Sequence, residues 1–225
     1  LKNLGLQKTY SGEIPRPSTE VFLHENEKII LAGTPWGGGE VLRSFDENIK
    51  EFLSAAIGDQ EVTSPFARLP SLSSAENNLR SALLIANEAA FQKCNKESYT
   101  SGAEALILHF HGPEVAWVQI GQPNLLLVRG GKLYPLQVAL DLACDFQNSS
   151  PIPSKLVGLE RAWDLEVRSL VLEDKDSLIL LARSFIPSTF FSHAYKGDTS
   201  KTVETLFELA VKDNNKLPFW ISILN

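Results

Sequence analysis

The chain has 225 residues, 44% of them apolar and 21% charged, enough to bury a sizeable core, and it reads as a single domain over residues 1–225. A net charge of −6 argues against nucleic-acid binding, which calls for a basic face, and no apolar run approaches the roughly 20 residues that span a bilayer. The N-terminal stretch LKNLGLQKTYSGE lacks the apolar segment of a signal peptide, and Cys94 and Cys144 follow no CxxC or zinc-ligand spacing, so the expectation is a soluble cytoplasmic protein with reduced thiols.

Along the chain, Thr19 to Leu23 and Lys28 to Ala32 read as a hairpin turned by His24-Glu25-Asn26-Glu27. A loop over Gly33 to Gly39 then opens a helix, in which Val41, Phe45, Ile49, Phe52 and Ala56 recur at helical spacing and Gly58 supplies the stop. Asp59 to Leu72 is interrupted by Pro65 and Pro70 and reads as a connection. Ser73-x-x-Glu76 is a capping box for a second long helix with Leu79, Leu83, Ala86 and Ala90 on one face. Short apolar strands fill Glu104 to Leu136, and more follow at Leu165 to Val171 and Ser177 to Ala182. Asp145 to Ser154 reads as a surface loop. Thr199 to Val211 is a late helix with Val203, Leu206, Phe207 and Ala210 inward, and Pro218 to Leu224 is a closing strand. The pattern predicts an α+β fold of two stacked antiparallel sheets covered by helices.

Several features could carry chemistry and have plainer readings. Gly37-Gly38-Gly39 lacks the GK[ST] of a P-loop and the GxGxxG of a dinucleotide site, so it reads as a flexible loop. Trp36 at its shoulder is a candidate partner contact. His109-x-His111 would put two imidazoles on one strand face, yet no Cys, Asp or Glu motif accompanies them, and a strand end is the simpler account. Ser101 and Ser184 sit in no G-x-S-x-G elbow. Phe185, Phe190, Phe191 and Trp220 read mostly as core, any exposed member marking a binding surface.

The stretch VAWVQIGQPNLLLVRGGKLYPL, Val115 to Leu136, reads as three short strands joined by two tight turns. It resembles the vanvGDSRayLvrdGkl segment of the metal-dependent Ser/Thr protein phosphatases of the PPM (type 2C) family, with Gly121-Gln122 in place of Gly-Asp. Other segments resemble the family in the same order: Arg16 to Phe22 its R-x-x-N-E-D-x opening, Ile30 to Gly38 its vvaDGmGG strand and loop, and Ser101 to Ala105 its GtTa turn. Asp176 to Phe185 resembles gDxLLLaSDGl, and Asp213-Asn214 its last Asp-Asn. The resemblance implies a four-layer αββα sandwich over nearly the whole chain.

It also implies that the family's metal-ligand positions fall at Val21, Gly33, Arg183 and Asp213, of which only Asp213 is a carboxylate. A pair of Mg²⁺ or Mn²⁺ ions needs several oxygen ligands to hold and activate a bridging water. Val and Gly offer none, and a guanidinium repels a cation. The expectation is therefore a pseudophosphatase without metal cofactors or phosphatase activity, acting as a protein-binding or regulatory module in phospho-signalling, with a kinase or phosphoprotein as partner. By the same resemblance Arg16 matches the Arg that contacts substrate phosphate, although an Arg beside a proline is more often a surface residue. Asp213-Asn214 reads equally as a helix-ending turn, and Arg183 as an exposed Arg at a strand end. Two alternatives remain: an active Mn²⁺ or Mg²⁺ phosphatase whose site has moved to Glu20, Glu40, Asp141 or Asp145, and a small-molecule sensor using the vacated cleft.

Overall fold

The structure, a computed structural model, describes all residues except 1–3, 59–64, 144–148, 162–164 and 196–197. Cys144 and Asp145 lie outside the described residues. The chain divides into two compact units, one built from Glu20–Ile120 with Lys155–Leu172, the other from Gly121–Ser154 with Glu173–Asn225 and the N-terminal segment up to Thr19.

The first unit holds strands β2 (Glu20–His24), β3 (Ile29–Trp36), β4 (Gly102–His111), β5 (Glu114–Ile120) and β8 (Arg168–Val171), and helices α1 (Glu40–Gly58) and α2 (Ser74–Cys94). The strands form one antiparallel sheet in the order β2-β3-β4-β5-β8. Alternation sends Ile29 and Leu31, Ala105 and Ile107, and Ala116 and Val118 to the face shared with Val41, Phe45, Ile49, Leu79 and Leu83 of the two helices. The expected capping box starts α2, with Glu76 N–H donating to Ser73 Oγ at 3.2 Å and Ser73 N–H to Glu76 Oε2 at 2.7 Å. Edge strand β2 is tied to α1 by His24 Nε2 and Asp46 Oδ1 at 2.8 Å.

Two buried amides, one on α2 and one at its C-cap, hold the segment that returns to this unit. Asn87 donates to the Glu160 carbonyl at 2.7 Å and accepts from Gly158 N–H at 2.8 Å, while Asn95 donates to the carbonyls of Ser101 and Gly158 at 2.8 and 2.7 Å. Gly158 has φ +80°, and a Cβ there would come within 2.9 Å of Val41 Cγ1, so the close approach requires glycine.

The second unit holds β1 (Leu4–Tyr10), β6 (Asn124–Arg129), β7 (Lys132–Gln137), β9 (Ser177–Ala182) and β10 (Phe219–Leu224), with α3 (Thr189–Ser192) and α4 (Thr199–Asp213). Its antiparallel sheet runs β1-β10-β9-β6-β7. Leu126, Ile179, Leu181, Phe219, Ile221 and Ile223 share a core with Val203, Leu206 and Ala210 of α4 and with Phe190 of α3. Gly130 and Gly131, with φ of +59° and +75°, form the two-residue primed turn that matches strand twist in the β6–β7 hairpin.

The strand predictions need one correction. Val115 to Leu136 does not make three strands of one meander, because β5 pairs with β4 and β8 while β6 pairs with β7 and β9. Gly121, at φ +67°, and a cis Gln122–Pro123 peptide stand where the chain passes from one sheet to the other. Strand β1 and helix α3 have no counterpart in the predicted elements.

Candidate functional site

Gly33 belongs to strand β3, not to the loop expected after it. It pairs with Glu20 on one side and Ala105 on the other, and Val21 pairs with Ala32. A Cβ built on Gly33 would lie 2.5 Å from Leu42 Cδ1 and 2.7 Å from the Glu104 carbonyl oxygen. The neighbouring strand's backbone is one of the obstacles and has little freedom to yield, so the position is closed to any side chain. Val21 is aliphatic, so neither side chain supplies an oxygen.

Trp36 is the last residue of β3 and half-buried, with its indole N–H donating to Oε2 of buried Glu104 at 3.2 Å. It is therefore pinned to the sheet, not carried on a mobile loop. The loop reading followed from the glycines after it, whereas β3 pairs with β4 through Trp36 and Gly102.

In the second unit Arg183 reverses its expectation. It follows the last residue of β9, yet it is 0% exposed. Its Nη2 donates to Asp213 Oδ2 at 3.2 Å and to the Asn214 carbonyl at 3.4 Å. The guanidinium carbon also lies 4.8 Å from the Phe185 ring centroid and 5.7 Å from that of Phe219, within cation–π range. Burial pushes the guanidinium pKa down, and the Asp213 charge and hydrogen bond push it back up. Asp213 ends α4 and Asn214 caps it, so the helix-ending reading and the ion pair both hold. Asp213, the one carboxylate among Val21, Gly33, Arg183 and Asp213, thus already serves a fixed cation.

Arg16 is neither a plain surface residue nor a neighbour of these groups in sequence. It is half-buried, its Nε and Nη1 are inaccessible to solvent, and it lines a cavity of about 240 Å³ with Tyr10, Pro15, Pro17, Pro218 and Trp220. Phe219 also lines this cavity and stacks on Tyr10 with ring centroids 5.5 Å apart. Sequence reasoning missed Tyr10 and Phe219 as neighbours of Arg16. The nearest local signal was the Pro-Arg-Pro run, whereas the opposite wall comes from about 200 residues further along the chain.

Asp141, one of the alternative metal-site positions, has a structural role. Asp141 is buried and its Oδ1 accepts from the backbone N–H of Ala143 and Ile152, both at 2.9 Å, which closes a loop. Among the described residues no group of three or more His, Cys, Asp or Glu side chains could hold a metal ion, and no described helix is long and apolar enough to cross a membrane. His111 is exposed, whereas His109 is buried and its pKa is lowered to about 4, first by burial and then by the nearby His111 and Lys28. The unfolded chain takes up that proton near pH 6.5 and the folded chain only near pH 4, so stability falls as pH drops between these values. The loss attached to His109 is about 3 kcal/mol at most. Urea unfolding at pH 7 and pH 4.5 should show a smaller acid loss in His109→Phe than in the parent; an unchanged loss would remove His109 as its source.

The fold now has known counterparts. The PPM Ser-Thr phosphatase MsPP from Mycobacterium smegmatis, solved in complex with cacodylate, superposes with a TM-score of 0.67 at 13% identity over 98% of this chain and 97% of that one. The serine/threonine phosphatase PstP/Ppp of Mycobacterium tuberculosis gives 0.66 at 14% identity over 98% and 97%. The catalytic domain of PstP in complex with two manganese ions gives 0.62 at 13% over 97% and 96%. The chain therefore has the fold of the PPM Ser/Thr phosphatases, α+β with two antiparallel sheets and helices, as the sequence pattern predicted. At the level of sequence alone, no family profile and no curated protein matches it.

Proposed function

We propose that this chain is a PPM-fold protein that has given up metal-dependent phosphate hydrolysis and acts as a binding module in phospho-signalling, with a phosphoprotein as its partner. The observation that carries the reading is the Arg183–Asp213 pair: a permanent cation is built in beside the one carboxylate left at the family's ligand positions. The closed space at Gly33 supports it, since no ligand-bearing residue could be accommodated there. A fold counterpart is solved with two manganese ions. The residues at Val21, Gly33 and Arg183 do not suit such a pair of ions, so no hydrolytic step through metal-bound water is derived for this chain.

A binding role keeps two of the named residues in use. By its resemblance to the family's phosphate-contacting Arg, Arg16 is the candidate for meeting a phosphate, and MsPP, of the same fold, was solved with cacodylate. Trp36, held in orientation by Glu104, offers a rigid aromatic surface to a partner. The expected setting is the cytoplasm.

Thermal unfolding with and without millimolar Mn²⁺ or Mg²⁺ should give the same Tm, and p-nitrophenyl phosphate and a phosphopeptide should not be turned over under either condition. Metal-stimulated turnover that follows the protein through purification would overturn the reading.

A further inference from the structure

We infer that the cavity at the start of α4 is a binding site for a small neutral polyol, a molecule of monosaccharide size whose hydroxyls meet Ser177 and Thr202. The cavity encloses about 460 Å³, inside the roughly 300 to 1,000 Å³ typical of small-molecule sites. It lies in the second unit, where the β6–β7 turn, the turn before β9 and the first turn of α4 meet. Asp213 ends this 15-residue helix, roughly 20 Å away, so the site is independent of the Arg183–Asp213 pair.

A hydroxyl without a partner points to the ligand. Ser177 opens β9 opposite Val128, is 8% exposed and lines the cavity, and its Oγ has no hydrogen-bond partner among the described residues. A buried hydroxyl left unpaired costs stability, so a group that enters and bonds it recovers that cost as affinity. Thr202, also 8% exposed, donates only a long bond of 3.4 Å to the Asp198 carbonyl and keeps its acceptor sites. The other polar side chains of the wall are engaged or exposed. Asp176 accepts from Arg129 Nε and from the Glu173 N–H, and Thr199 Oγ1 accepts from Asn225 Nδ2 at 3.0 Å. Asp174 and Lys175, opposite in sign, are exposed.

This distribution selects a neutral ligand. A charged one would bring its charge to a wall whose buried hydroxyls are neutral and whose exposed charges cancel, so neither sign is favoured. The apolar part of the wall, Val128, Ile223 and the Tyr195 ring, suits C–H groups. Water would satisfy Ser177 and leave those groups wet, whereas hydroxyls on a carbon frame answer both. The wall is also tied in place. Tyr195 donates its N–H to the Gly131 carbonyl at 2.9 Å and its hydroxyl to the Phe190 carbonyl at 2.7 Å, and Asp176 N–H donates to the Glu173 carbonyl at 3.0 Å, so little freedom is lost on binding.

The test is an amide NMR titration of the full chain with glucose, galactose, mannose and myo-inositol, beside free serine as a zwitterion and inorganic phosphate as an anion, repeated with Ser177→Ala and Thr202→Val. Expected are saturable shifts at Ser177, Gly130, Gly131 and Thr202 with at least one polyol in the millimolar range, and weaker or no binding of serine and phosphate. Ser177→Ala should weaken that polyol about tenfold and yet unfold at a temperature no lower than the parent, because it removes an unpaired hydroxyl. A packing role alone would not pair lower affinity with undiminished stability. Thr202→Val, of the same shape without the hydroxyl, should weaken the polyol as well and serves if Ser177→Ala does not fold. Absence of saturable shifts at these positions with all four polyols would overturn the inference. Tighter binding of serine or phosphate there would overturn the neutral class, and unchanged affinity in both variants would overturn the assignment of the two hydroxyls.

Discussion

Asp213→Asn is expected to cost about 3 to 5 kcal/mol of stability, the range seen when one partner of a buried ion pair is removed. The side chain hardly changes size, so the effect isolates charge. Arg183 is 0% exposed while Asp213 is 27% exposed, which makes the cation the member that cannot return to water when its partner is lost. The Asn214 carbonyl at 3.4 Å and two aromatic faces would be left to stabilise the guanidinium, and neither carries a formal charge. Removing the cation as well should restore most of the loss, because Arg183→Met places a polarizable apolar chain against Phe185 and Phe219. Urea unfolding of the two single variants and the double variant gives the coupling directly. A single Asp213→Asn variant within about 0.5 kcal/mol of the parent would show that the pair does not balance the buried charge.

Gly33→Asp, which restores the carboxylate found in the PPM family, is expected to lower Tm by roughly 10 °C, a loss of about 3 kcal/mol or more in a chain of this length. Two terms add. Any Cβ must displace Leu42 and the Glu104 carbonyl, and the carboxylate would then be buried among apolar side chains of β3 and α1. Gly33→Ala carries only the first term and should fall between the parent and Gly33→Asp. Neither Mn²⁺ nor Mg²⁺ should recover the loss, and Gly33→Asp combined with Arg183→Asp should not gain phosphatase turnover. Recovery of Tm by sub-millimolar Mn²⁺ would show that the strand can open around a side chain and that the site is not closed.

What could be read from the sequence was what local chemistry determines. The Ser73–Glu76 box, the Gly130-Gly131 turn and the inward residues of α4 each depend on residues within a few positions of one another. The partner of Arg183 could not be read, since Asp213 is 30 residues away and only packing brings them together. The same holds for β5 and β6, whose sequences predict strands but whose pairing partners lie elsewhere in the chain. Strand β1 was missed because, as an edge strand, it lacks the continuous apolar run that marks β3, β4 and β9. The closure of Gly33 was hidden for a different reason. A glycine in a sequence states that a side chain is missing, not whether there is room for one.

The amide of Asn87 on α2, and in part that of its C-cap Asn95, reaches forward to residues that the ribosome has yet to add. Until the chain has passed Arg161, Asn87 has neither of its carbonyl acceptors nor its Gly158 donor, and β5 gains β8 only with Val171. During synthesis the first unit must therefore wait, partly assembled, while the Gly121–Ser154 segment of the second is being made. The same order of events means that a fragment cut at Ile120 would not be a smaller version of this unit but an unfinished one, with the buried Asn87 amide lacking these partners and a bare sheet edge beside it.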